Sequence, residues 1–149
     1  MSRKHLKAFG IVITLLLATQ MLASCAKETK EEAASELTWL TSYEEAMAAA
    51  KKDKQPVMID FYADWCNWCK RLDSDTYIDK DVVALAQDFV SLKLDADVEK
   101  DLSSRYKVVG LPTILFIDAS GKEIHRVVGY RPPEDFVKEM NSALAAFKG

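Results

Sequence analysis

From residue 37 onward the chain alternates between two hydrophobic periods. Leu37–Leu40, LTWL, is a short apolar segment that reads as an edge strand. In TSYEEAMAAAKKDK, Tyr43, Ala46, Met47 and Ala50 share one face at helical spacing, and Ser42 and Glu45 stand at capping-box spacing. Pro56 opens PVMIDFYA, where Val57, Ile59, Phe61 and Ala63 fall on one side and Met58, Asp60 and Tyr62 on the other. Apolar residues on both sides predict a central strand covered on both faces, with Asp60 the exception. Asp73–Asp81, DSDTYIDKD, reads as a solvated loop and helix cap. Asp79–Asp88 predicts a helix with Val82, Leu85, Ala86 and, just beyond, Phe89 inward, and FVSLKLD a second strand. DVEKDLSSRYKV predicts a helix capped by Asp97, with Val98, Leu102 and Tyr106 on one face. GLPTILFID is a third strand, ASGK a turn, and EIHRVVG a fourth strand antiparallel to the third. Pro132 and Pro133 open a last helix that turns Phe136, Val137, Met140, Leu144 and Phe147 inward. The order β-α-β-α-β-α-β-β-α predicts an α/β fold, a mixed central sheet with helices on both faces.

The N-terminal part follows a different pattern. Arg3, Lys4 and Lys7 precede the apolar run AFGIVITLLLATQML, Ala8–Leu22, which is short for a membrane-spanning helix and fits the core of a signal peptide. The run ends in LASC, Leu22–Cys25, which resembles the lipobox of bacterial lipoprotein signals. That resemblance implies cleavage before Cys25 and a diacylglycerol on its sulfur, and so an attachment to a membrane through a lipid anchor. An uncleaved anchor, or a secretory signal with a chance cysteine, are the alternatives. The lipobox reading divides the chain into a signal peptide (1–24), the lipidated Cys25 with a polar flexible tether (25–36), and a folded domain (37–149).

Composition narrows the function classes. With 149 residues, 49% hydrophobic and 29% charged, the chain has the makings of one globular domain. A net charge of -3 speaks against a nucleic-acid-binding surface. Loss of Arg3, Lys4 and Lys7 with the signal leaves 17 basic against 23 acidic residues, a net -6.

The chemistry gathers at YADWCNWCK, Tyr62–Lys70. A structural zinc site would need a second ligand pair, and the two histidines, His5 in the signal and His125 in a strand, do not form one. A purely structural disulfide over so short a loop removes little unfolded-state entropy. A redox pair fits best. Cys66 follows a central strand and opens a helix, where free backbone N–H groups favour the thiolate. Cys69 lies one turn on, shielded but within bonding reach, placed to resolve a mixed disulfide that Cys66 forms.

PVMIDFYADWCNWCK together with VVGLPTILFIDASGK resembles the thioredoxin superfamily, most closely the C-terminal thioredoxin-like domain of DsbD-type membrane thiol:disulfide interchange reductases. The resemblance covers roughly residues 37–148. It implies a thioredoxin fold, a reversible Cys66–Cys69 disulfide and a proton-accepting buried acid at Asp60. It also implies a substrate groove formed by Trp65, a cis-proline at Pro112 that presents the Leu111 backbone, and Gly129. Asn67 and Trp68 between the cysteines depart from the Gly-Pro of thioredoxin and leave the direction of electron flow open. Trp65 and Trp68 could rim the thiolate, with Trp65 alternatively packed in the core, and Lys70 either adds positive potential or is simply solvated. A backbone-bonded Asp60 at a sheet end and a plain loop proline at Pro112 are the duller alternatives. The expected function is an envelope thiol–disulfide oxidoreductase, working as a monomer without metal or cofactor. It would take electrons from a membrane thiol transporter and reduce envelope protein disulfides. An oxidase or isomerase, a copper-binding module and a non-catalytic adaptor are the alternatives.

Overall fold

The structure, a computed structural model, describes residues 36–148. The signal peptide, Cys25 and the tether up to residue 35 lie outside the described residues.

Strand β1 (Val57–Tyr62) lies inside a four-stranded sheet of order β2-β1-β3-β4. It pairs in parallel with β2 (Val90–Asp95) and antiparallel with β3 (Thr113–Ile117), which pairs antiparallel with β4 (Glu123–Val128). The sheet is therefore mixed, as the α/β thioredoxin pattern requires. The directions matter for function: the exits of β1, β2 and β4 and the start of β3 all lie at one end of the sheet.

Both faces are covered, which is why β1 carries almost no polar residue. On one face Val57, Ile59 and Phe61 pack with Ala46 and Ala50 of α1 (Tyr43–Asp53) and with Tyr106, which ends α4 (Lys100–Arg105). On the other face Met58, Ile114 and Phe116 pack against Leu72, against Val82 and Val83 of α3 (Lys80–Ala86), and against Phe136 and Met140 of α5 (Pro133–Lys148). Helix α2 (Asn67–Arg71) starts just past the exit of β1. Ser42 caps α1 by accepting the Glu45 N–H at 3.3 Å, and Asp79 caps α3 by accepting from Asp81 and Val82.

Three local expectations are corrected. LTWL makes only one parallel bridge, Leu40 to Leu92, because the chain turns into the Ser42 cap immediately afterwards. Asp97 does not cap α4: the helix begins at Lys100 after Glu99, which gives no side-chain cap, and Val98 is exposed rather than inward. DSDTYIDKD is not a solvated loop throughout. Leu72–Thr76 forms a π-helical turn that continues α2, and Thr76 and Tyr77 are buried. The extra residue per turn is closed by the Tyr77 N–H donating to the Leu72 carbonyl at 2.9 Å.

Phe136 is fully buried and meets Tyr77 edge-on, with ring centroids 5.7 Å apart. Phe136→Ala removes this contact and leaves a void under the sheet, and is expected to cost about 3–5 kcal/mol. Urea unfolding monitored by tryptophan fluorescence checks it.

Candidate active site

The chain leaves β1 at Tyr62, makes a tight turn in which the Cys66 N–H donates to the Ala63 carbonyl at 3.0 Å, and enters α2. Cys66 is the residue that caps α2, and its Sγ accepts the Cys69 N–H at 3.1 Å. Cys66 and Cys69 are joined by a disulfide with their Cα atoms 5.3 Å apart. Both are buried, beside Ala63 and against Tyr62 and Leu111. What distinguishes them is position: Cys66 caps the new helix turn and takes the Cys69 amide, and Cys69 lies one turn inside.

The loop before β3 supplies the next wall. The Leu111–Pro112 peptide is cis, and Leu111 packs on the cysteine pair. Pro112 is buried, and its carbonyl accepts the Gly129 N–H at 2.8 Å, which ties this loop to the exit of β4. Gly129 has φ +85°, in the left-handed region that glycine enters without strain. With Trp68, Tyr130 and Arg131 it lines an open cavity of about 290 Å³.

The two tryptophans are exposed, Trp65 by 67% and Trp68 by 54%, so Trp65 is not core packing. Its indole N–H donates to Asp97 Oδ2 at 2.8 Å. Trp68 lies 5.8 Å from the Tyr130 ring, and the Arg71 guanidinium covers both rings. Asn67 and Lys70 are exposed on α2. Of the six exposed large apolar side chains among the described residues, five stand at this end of the sheet: Trp65, Trp68, Val98, Val109 and Val128. Exposed apolar side chains gathered at one end of the sheet form an apolar collar of the kind that marks an interaction site.

Asp60 is completely buried in the middle of β1. It is not bonded to backbone: neither carboxylate oxygen has a hydrogen-bond partner among the described residues. Burial pushes its carboxyl up to about 7, partly offset by the Lys93 ammonium, 3.7 Å from Oδ2; Asp73 pushes it further up and Tyr77 pulls it down. Burial, and then the Asp60 charge, raise the Tyr77 phenol well above its usual range.

A family profile described as a thioredoxin-like domain matches residues 43–144. The chain belongs to the thioredoxin-like domain family. The thiol:disulfide interchange protein DsbD of Ralstonia nicotianae is 36% identical over 110 residues, covering 70% of this chain and 18% of its own. The DsbH oxidoreductase superposes with a TM-score of 0.67 at 27% identity, over 80% of this chain and 92% of that one. A thioredoxin from Thermus thermophilus gives 0.66 at 30% identity, over 73% and 88%. The chain spans about a fifth of the length of the curated relatives it matches. On this fold the Cys66–Cys69 disulfide stands between the start of α2 and the loop that carries Leu111.

The structure brings together Cys66, Cys69, Leu111 and Pro112, and sets Trp68 with Gly129 beside them. Two partners of Asp60 were missed from sequence, Lys93 and Tyr77. Lys93 is the cross-strand neighbour of Asp60 and shares its inward parity, so a lysine there, flanked by Leu92 and Leu94, was the available signal. His125 is the half-buried strand residue expected, 2.6 Å from Glu139 Oε2 through Nε2.

The Asp60 carboxyl sets a pH dependence of stability. Its folded value, about 7, lies above the ordinary 3.8, so the folded state holds a proton that the unfolded chain has lost between these pH values. The contribution is full below pH 3.8 and is lost as pH rises toward 7. Asp60→Asn stays neutral throughout. It is expected to be more stable than the native chain above neutral pH by on the order of 3–4 kcal/mol, and to flatten the slope between pH ~4 and ~7. Chemical unfolding across that range checks both.

Proposed function

We propose that this thioredoxin-like domain reduces protein disulfides in the bacterial cell envelope, tethered to a membrane through a lipid on Cys25. The observation that carries the chemistry is the capping position of Cys66, whose sulfur accepts the Cys69 amide at the mouth of the site. In the reduced protein that N–H and the free amides of the first turn favour a Cys66 thiolate. The thiolate attacks one sulfur of a substrate disulfide, and the other sulfur leaves as a thiolate. Cys69 then attacks Cys66 in the mixed disulfide. The Cys66–Cys69 bond forms and the second substrate sulfur departs, so the substrate gains two electrons that the CxxC pair loses. Asp60 accepts the Cys69 proton, its carboxyl raised by burial into the range where a base works near neutral pH. Asp73, four residues after Cys69, is bonded to Lys93, which is also the charged neighbour of Asp60.

Leu111, packed on the cysteine pair, is the wall along which an extended substrate segment would lie, and the apolar collar favours a protein over a small thiol. Trp65, Asn67 and Trp68 on one side and Gly129 on the other bound the groove. The proposed electron donor is a membrane thiol transporter; the name of the DsbD relative, a thiol:disulfide interchange protein, supports the interchange chemistry.

Direction is read from the potential of the couple. Equilibration with glutathione is expected to give a value near that of thioredoxin, about -270 mV; one near DsbA, about -120 mV, assigns the oxidase reading instead. Cys69→Ser is expected to accumulate substrates as mixed disulfides on Cys66, whereas Cys66→Ser accumulates none; non-reducing electrophoresis of envelope extracts distinguishes them. Cys25→Ser is expected to abolish labelling by a fatty acid and partition into detergent, and retention of both removes the lipid anchor.

A further inference from the structure

The two flanks of the groove differ in charge. On one flank, Trp68, Gly129, Tyr130 and Arg131 line the open cavity of about 290 Å³. Asp75, in the π turn, accepts the Tyr130 hydroxyl at 3.2 Å and the Arg71 Nε–H at 3.0 Å, and so holds ring and guanidinium together. Arg71 Cζ stands 4.7 Å from the Tyr130 ring centre and 5.7 Å from that of Trp68. Arg131 is anchored through its backbone, whose carbonyl takes the hydroxyl of the buried Thr76 at 2.7 Å. Its Nη1 donates to the Val128 and Tyr130 carbonyls, and its Nε lies 3.7 Å from Glu139 Oε1. Among the described residues, neither terminal nitrogen of Arg71 nor Nη2 of Arg131 has an acceptor. The other flank is acidic: Asp64 precedes Trp65, and Asp97 accepts its indole N–H at 2.8 Å.

We propose that this cavity is a specificity subsite for a carboxylate side chain, Asp or Glu, standing near the cysteine of the substrate protein, held by Arg131 and Arg71 against the Trp68 and Tyr130 rings. This rests on the reading of the chain as a protein-disulfide reductase. A guanidinium takes a carboxylate through two parallel N–H···O bonds, and the methylene stem of the acid can lie on the rings. A purely apolar occupant would strip water from the guanidinium N–H groups and leave them without acceptors. A lysine there would meet two cations. Gly129 adds no side chain at the entrance, where a Cβ would stand 3.9 Å from Arg131 Nη1. The acidic Trp65 flank repels the same carboxylate, so the acid is admitted on one side of the groove only and gives the substrate a direction across the disulfide. The chain as a whole carries a net -3, so the attraction is local to the cavity and runs against the overall charge.

The probes are disulfide-linked dimers of short synthetic peptides that differ in one residue beside the cysteine, Glu, Gln or Lys, placed before it in one set and after it in the other. The reduced full chain gives two electrons to each dimer, which leaves as two thiol peptides, and chromatography of quenched mixtures gives the second-order rate. In one of the two sets the Glu peptide is expected to react about fivefold faster than the Gln peptide, and the Lys peptide more slowly than either, with the advantage shrinking as salt is raised. In the Arg71→Gln, Arg131→Gln double variant the Glu and Gln peptides are expected to react at the same rate as each other. That comparison is internal to the variant and does not depend on its overall activity. Equal Glu and Gln rates in both sets with the native chain, an equal Glu advantage in both sets, a Lys peptide that reacts fastest, or a Glu advantage that survives in the double variant each overturn the subsite and leave the reductase reading in place. No reduction of any dimer by a chain with both thiols intact overturns the reductase reading, and the subsite with it.

Discussion

The constraint on which the rest depends is that β1 is flanked by strands on both edges and covered by helices on both faces. A strand so enclosed can hold only apolar side chains cheaply, and it presents its C-terminal end at a fixed point of the surface. The chain must turn there, and the turn delivers Cys66 to the start of a helix, where its sulfur takes a backbone amide. The exits of β2 and β4 and the approach to β3 arrive at the same end because of their directions in the sheet. The groove walls are thus a product of strand order: Leu111 and Pro112 before β3, Gly129 after β4, and Asp97 after β2 holding Trp65.

Asp60 is the exception to that enclosure. A carboxyl in the middle of such a strand can be tolerated if it is neutral or faces a cation, and here both conditions contribute. Burial raises its proton affinity, and Lys93 limits the rise. The result is a group that sacrifices stability at neutral pH and whose carboxyl is raised to about 7. Natural proteins keep such a destabilising group where function uses it. The same tension is visible at the surface, where apolar side chains cluster round the disulfide instead of being buried.

Most of the fold was legible because its signals are local and mutually consistent. The two-sided apolar pattern of PVMIDFYA, the Ser42 cap, the prolines before the last helix and the short ASGK turn each correspond to an element of the structure. The cysteine pair was legible as a redox site from the strand before it and the helix after it. Pro112 and Gly129 were not legible from pattern; their place came from the resemblance of GLPT and the final glycine to a family. What stayed hidden depends on side chains meeting across the fold. Asp97 has the look of a helix cap, but the helix starts only at Lys100 and the carboxylate instead takes the indole N–H of Trp65, a residue far away in sequence. The π turn cannot be read from DSDTYIDKD, because its polar residues are solvated while Thr76 and Tyr77 turn inward. Lys93 has the look of an ordinary exposed lysine until the register sets it beside Asp60.

On the proposed reading, the start of α2 separates two chemically similar thiols into an attacking and a resolving one. The most direct measurement is the pH dependence of iodoacetamide alkylation at each cysteine of the reduced protein, resolved by mass spectrometry of the peptides. The expected result is a Cys66 pKa below the ordinary value of about 8.5 and a Cys69 pKa above it, with Cys66 modified first at neutral pH. Equal rates with a shared midpoint near the ordinary value would contradict the claim and reduce the pair to an undifferentiated dithiol.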